Sequence, residues 1–205
     1  MNSLFEIVTT QYAHQLIFKT YERQELIFSE RSLCKTMGLI IKGKMHIQTF
    51  ACGEVPYTIQ TLTSGDFFGE TLIFSINSMY LGLGVALEKT KIAYISKSNL
   101  ITMMHDDSLF LQAYLQEMAE KSINHQVRLK VLLQKTIRDK VLFYLQEQAK
   151  TQASLMVKIP TKEAWAAYLN IPRPSLSREL IFMEKDGLIK NNRYSILLNS
   201  NTCFI

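Results

Sequence analysis

No apolar run in this 205-residue sequence approaches the length needed to cross a bilayer, and residues 1–10 carry an acidic residue where a secretion signal would be positive. Both absences point to a cytoplasmic protein with no membrane partner. Cysteine is scarce: Cys34, Cys52 and Cys203 lie far apart with no paired spacing. That pattern excludes a zinc or iron–sulfur site read from spacing and fits reduced thiols with structural roles. The sequence also lacks a glycine-rich phosphate loop, a nucleophile elbow and any metal-ligand motif, so an enzyme is not expected. Glycine and proline are both missing from Ser98 to Lys150, which leaves nothing to break a helical run there.

What is present divides into three parts. Hydrophobic residues make up 47% of the chain, enough for a real core. The net charge of +5 is unevenly spread. Residues 1–135 hold thirteen Lys and Arg against twelve Asp and Glu, whereas residues 136–205 hold ten against six. The shorter segment carries most of the excess, as a surface that meets a phosphate backbone would.

Short runs of β-formers fill the stretch from Phe18 to Ser96: Leu26-Ile27-Phe28, residues 38–41, Met45-His46-Ile47, Tyr57-Thr58-Ile59, residues 84–87 and residues 92–95. Turn signals separate them at Lys42-Gly43-Lys44, residues 51–54 and Ser64-Gly65-Asp66. The reading is a β domain over residues 1–107. A helix follows over 108–135 with a stripe of Leu111, Leu115, Met118, Ser122, His125, Leu129 and Leu132. Steps of alternating four and three make this a coiled-coil seam, and its mid-seam polar residues fit register-setting in a homodimer. Thr136, with Asp139 three residues later, caps a new helix and opens the third part, 136–205.

Residues 158–198 carry the most specific signal. Thr161 caps a short helix over residues 162–169, with Ala164, Trp165 and Tyr168 expected to face inward. Asn170-Ile171-Pro172 is the turn, because Asn tolerates a left-handed backbone and Pro stops the first helix. A second helix begins at Arg173-Pro174 and clusters Leu176, Leu180 and Met183 on one arc, leaving Arg173, Pro174, Ser177 and Arg178 on the other. Gly187 closes it, and residues 188–197 read as a hairpin with an Asn-Asn turn and Lys190 and Arg193 at the tip. A helix pair followed by a basic hairpin is a winged helix-turn-helix. Its outward arginines are suited to guanine in the major groove of double-stranded DNA, with Ser175, Ser177 and Lys162 as further contacts.

The phrases Arg173-Pro174-Ser175-Leu176-Ser177-Arg178-Glu179-Leu180 and Met183-Glu184-Lys185-Asp186-Gly187-Leu188-Ile189 resemble the Crp–Fnr family of transcription regulators. Gly65-Asp66-Phe67-Phe68-Gly69-Glu70 is similar to the start of that family's phosphate-binding cassette, and Ile40-Ile41-Lys42-Gly43-Lys44 to one of its β-roll turns. The resemblance covers nearly the whole chain. It implies an α+β fold: an amino-terminal double-stranded, jelly-roll-like β-roll, a long dimerisation helix and a carboxy-terminal winged helix-turn-helix. It further implies a homodimer on a two-fold symmetric operator, with RNA polymerase as a partner if the protein activates.

The departures from the family pattern matter. Nucleotide-binding members hold the cyclic phosphate with an arginine about ten residues after the cassette Gly-Glu; here that count reaches Tyr80-Leu81-Gly82, and no arginine lies between Arg31 and Arg128. Cyclic AMP binding is therefore not expected, and no other cofactor is implied. His14, His46, His105 and His125 sit in no distinctive haem-ligand context. By family alignment His125 and Gln126 face the effector cavity along with Gly69, Glu70 and Tyr80; alternatively His125 only sets register. Pro174 stands where many members have a cytosine-reading glutamate, so the operator is expected to differ at that base. The rival to a regulator is a ligand-binding or adaptor module with a vestigial helix-turn-helix.

Overall fold

The computed structural model describes residues 3–50, 56–192 and 194–199. The chain forms two compact units, residues 1–118 and 119–205, which divide inside one helix. No helix among the described residues is long and apolar enough to cross a membrane.

The first unit opens with helix α1 (Ser3–Thr10), whose Leu4 and Val8, one turn apart, are fully buried. Eight strands follow: β1 (Ile17–Tyr21), β2 (Leu26–Phe28), β3 (Thr36–Lys42), β4 (Lys44–Phe50), β5 (Pro56–Thr63), β6 (Phe67–Phe68), β7 (Leu83–Ala86) and β8 (Thr90–Ser96). They make two four-stranded antiparallel sheets, ordered β1-β8-β3-β6 and β2-β7-β4-β5. Consecutive strands alternate between the sheets except β4 and β5, which pair antiparallel with each other, and this is the β-roll. Its core lies between the sheets and is rich in rings. Phe28 stacks on Tyr80 at 3.9 Å between centroids, Phe68 meets Tyr94 edge-on at 6.2 Å, and the Tyr21 and Tyr94 hydroxyls share a hydrogen bond of 2.7 Å. Strand β1, the cassette pair β6 and helix α1 were not separate elements in the sequence reading; the expected turn over 51–54 lies outside the described residues.

Helix α2 (Lys97–Asp106) is capped by Ser96, which accepts from the Asn99 amide. Asp107 then starts α3 (Ser108–Leu132): its Oδ1 accepts from the Leu109 and Phe110 amides, and its Oδ2 from the Tyr12 hydroxyl. These bonds hold the Asp107 carboxyl below its ordinary pKa, the Phe110 amide contributing most. Phe110, Ala113 and Tyr114 on the first turns of α3 are buried in the first core.

The second unit gathers the rest of α3, α4 (Ile137–Gln152), β9 (Met156–Lys158), α5 (Lys162–Leu169), α6 (Arg173–Lys185), β10 (Ile189–Asn191) and β11 (Ser195–Leu198). Thr136 caps α4 as expected, its Oγ1 accepting from the Asp139 amide and donating to the Asp139 carboxylate. The three strands form one antiparallel sheet, β10-β11-β9. Leu176, Leu180 and Met183 are fully buried in the second core, as the helical spacing predicts. Burial of each contributes on the order of 1.5–3 kcal/mol.

Two local expectations change. Ala164 is exposed, whereas Trp165 and Ala166 are buried and Tyr168 is half-buried. The large indole wins the inward face of this eight-residue helix by packing against Tyr144 at 5.2 Å. The expected Asn-Asn turn also changes: Asn191 pairs with Ile196 inside the ladder, and the Asn192 amide donates to the Ser195 carbonyl.

Candidate nucleic-acid interface

Local chemistry fixes the helix-turn-helix. Thr161 Oγ1 accepts from the Ala164 amide and starts α5. Asn170 takes φ +53°, so that the Ile171 amide reaches back to the Ala166 carbonyl and closes the helix. Pro172 precedes α6 in extended conformation, and Pro174 occupies its first turn, where a missing amide costs no helical bond. At the far end Gly187 at φ +72° lets the Leu188 amide donate to the Met183 carbonyl, which directs the chain into the wing.

Side chains from other elements hold α6 in place. Arg138 on α4 donates through Nε to Glu179 at 2.7 Å and through a terminal nitrogen to Asp186 at 2.8 Å. It thus grips the middle and the end of the helix together. The bonds to Glu179 and Asp186 raise the Arg138 pKa further above its ordinary value. Glu184 accepts from the Asn191 amide at 2.9 Å and ties the wing to the same helix. Gln152 lends its amide to both backbone groups of Lys158, extending the sheet at β9.

This scaffold leaves one face of α6 outward. Arg173, Pro174 and Arg178 are exposed, Ser177 is half-buried on the same face, and Ser175 is half-buried on its flank. Lys162 is half-buried at the start of α5. Lys190 is exposed, not at the tip but within β10, opposite Leu197. Arg193 lies outside the described residues. Sequence reasoning missed three residues here. Arg138 and Glu179 are 41 positions apart, so no local pattern pairs them. Ile181 stands on the exposed side, and a count at helical spacing would have placed it beside Pro174.

The residues expected to line an effector pocket divide between the units. Gly69, Glu70 and Tyr80 come together inside the β-roll. Gly69 takes φ +75°, and a Cβ there would lie 2.8 Å from the Cys34 sulfur and 3.3 Å from the Tyr80 hydroxyl. The glycine is therefore demanded by packing as well as by backbone. The Cys34 thiol donates toward the Thr36 and Gly69 carbonyls and is hydrogen-bonded by the Tyr80 hydroxyl. Burial raises the Cys34 thiol above its ordinary pKa and pushes the Tyr80 phenol well above its own, and the nearby Glu70 carboxylate adds to each rise. Tyr114 donates to the Glu70 carbonyl at 2.7 Å, and burial raises its pKa too. This cluster of thiol, phenols and carboxylate carries no positive charge. His125 and Gln126 are exposed on α3 in the second unit.

Of the seam residues, Leu115, Ser122, His125 and Leu129 are exposed, Leu111 and Leu132 are half-buried, and Met118 packs on the first core. Leu115 and Leu129 are each 58% exposed, and Leu133, just past the end of α3, is 72% exposed. No group of three or more His, Cys, Asp or Glu that could hold a metal occurs among the described residues.

Residues 18–107 match the cyclic nucleotide-binding domain family. Curated protein sequences gave no significant match. Solved structures similar to the chain include a CooA variant from Carboxydothermus hydrogenoformans, 17% identical, with a TM-score of 0.69 over 95% of this chain and 90% of that one. The c-di-GMP responsive global regulator CLP of Xanthomonas campestris is 15% identical, with a TM-score of 0.63 over 94% and 98%. CprK in complex with OCPA is 11% identical, with a TM-score of 0.75 over 94% and 91%. At these identities the likeness is one of fold. The first unit is a cyclic nucleotide-binding-type β-roll, joined by a long helix to a winged helix-turn-helix. The solved structures share that order of parts, and the likeness runs over nearly the full length of this chain.

Proposed function

We propose that the protein is a sequence-specific, DNA-binding transcription regulator of the Crp–Fnr type that works as a homodimer without cyclic AMP. The observation that carries the reading is the outward face of α6. Arg173 sits in a first turn that has no acidic residue and no side-chain cap, so a positive side chain adjoins the positive end of the helix dipole. Alone this placement is unfavourable; a phosphate or a guanine edge in the major groove reverses its sign. Lys190 and Lys162 supply backbone contacts beside it, and Arg193 is proposed with them from its place in the wing.

The dimer reading rests on the 108–135 segment, where Leu111, Leu115, Met118, Ser122, His125, Leu129 and Leu132 are proposed as the seam. Leucines more than half exposed on a long helix are apolar surface awaiting a partner. Two recognition helices then address half-sites about one DNA turn apart, roughly 34–36 Å. RNA polymerase is the expected further partner if the protein activates.

Independence from cyclic AMP is supported by the chemistry at Gly69, Glu70 and Tyr80. A buried phosphate needs a charge-assisted donor such as a guanidinium. By the family resemblance the place of such an arginine falls at Tyr80, a buried phenol near the Glu70 carboxylate, so a cyclic phosphate would meet a carboxylate rather than a cation. Among the similar structures, CLP is described as responsive to c-di-GMP and CprK as complexed with OCPA, so a likeness of fold does not by itself call for cyclic AMP. Any effector of this protein is proposed to be a molecule other than a cyclic nucleotide.

The test is selection of bound duplexes from a random pool, followed by affinity measurement against salt with and without cyclic AMP. A palindromic operator, a steep salt dependence and no change with the nucleotide are expected. Binding that ignores both sequence and salt would leave an adaptor module, and a tightening with cyclic AMP would overturn the sensor reading.

A further inference from the structure

We infer that the recognition helix reads thymine methyl groups through a carbon surface made by Pro174 and Ile181. The inference rests on the proposed DNA binding and specifies what that site selects. Ile181 is 51% exposed although the buried stripe of α6 is already complete in Leu176, Leu180 and Met183. Around the helix it lies about 20° from Pro174, and along it about 10 Å further on. Arg173, Ser177, Arg178 and Lys185 surround the pair, and the three cations among them are exposed. A face that is apolar at its centre and cationic at its margin matches a DNA groove rather than a protein core.

The chemistry narrows the choice of base. Proline has no amide hydrogen and no polar side-chain atom, and isoleucine can neither donate nor accept. The one major-groove feature that such carbon surfaces complement is the thymine C5-methyl group. Water left against an exposed isoleucine is expelled when a methyl covers it, which converts the exposure into base selection. The spacing of about 10 Å corresponds to roughly three base-pair steps, so two thymines per half-site at about that separation are expected.

The experiment takes the full chain and the operator obtained by selection, and replaces each thymine in turn with deoxyuridine. That change removes the methyl and leaves every hydrogen-bonding group in place. Fluorescence anisotropy is expected to show about fourfold weaker binding for each contacted methyl, the worth of burying one carbon group. The loss at one position should vanish in Ile181→Ala and at the other in Pro174→Ala, with Trp165 fluorescence confirming that both variants fold. An operator bound equally well with deoxyuridine throughout overturns the inference while DNA recognition stands. A chain that selects no operator at all removes the DNA reading together with it.

Discussion

Two helices of the second unit end in the same way on different residues, and exchanging those residues gives a quantitative test of the backbone reasoning. At the end of α6 the Leu188 amide donates to Met183 and the Gly187 amide to Glu184, with Gly187 at φ +72°. At the end of α4 the Ser154 amide donates to Ala149 and the Ala153 amide to Lys150, with Ala153 at φ +47°. One left-handed position thus holds the residue suited to it and the other does not. A Cβ on Gly187 would meet no atom within 4 Å, so Gly187→Ala changes only the backbone term. That term is about 1 kcal/mol for an L residue in the left-handed region. Ala153→Gly should recover about 0.5–1 kcal/mol, part of the relief being lost to the freer unfolded chain. Trp165, the single tryptophan of the sequence and fully buried, reports on this unit in urea. With a slope of roughly 1–2 kcal/mol per molar, Gly187→Ala should lower the midpoint by about 0.5–1 M and Ala153→Gly should raise it by somewhat less. The double variant should return close to the starting value, since the two caps share no partner. A neutral Gly187→Ala, or an Ala153→Gly that destabilises, would refute the argument.

Arg178→Ala is expected to cost about 1–3 kcal/mol on the operator and little on random DNA, whereas Lys190→Ala should weaken both alike and flatten the salt dependence. Equal losses from Arg178→Ala on the two DNAs would speak against base reading. Leu115→Lys combined with Leu129→Lys should give a monomer by sedimentation and lose operator affinity; a tight dimer that survives would sink the seam. In a chain carrying Cys52→Ser and Cys203→Ser, the buried Cys34 thiol, its pKa raised, should resist alkylation at neutral pH until the protein is unfolded. Rapid alkylation of the native variant would contradict the packing around Gly69.

Much of the fold was legible because its signals are local. Thr136, Thr161, Asn170 and Gly187 act on amides or carbonyls within a few residues, so residue type and spacing suffice to place them. The Leu176, Leu180 and Met183 stripe follows from helical period alone. The inward residues of α5 were not readable in that way. Eight residues present two usable apolar faces, and the choice of Trp165 over Ala164 depends on Tyr144 arriving from α4. The wing turn differs for a related reason: pairing of Asn191 with Ile196 is decided by the β11 register, which β9 also constrains.

The sequence by itself determined the order of parts, the helix-turn-helix and its caps, and the lack of any arginine between Arg31 and Arg128. Those features depend on composition, period and short-range hydrogen bonds, which travel with the chain. Only the tertiary structure decided that the Tyr80 phenol stacks on Phe28 and is bonded to Cys34, 46 positions away in the chain. It likewise decided that Glu179 belongs to Arg138. Such partnerships depend on the path of the chain in space, because a side chain's neighbours across a core are set by how whole elements pack.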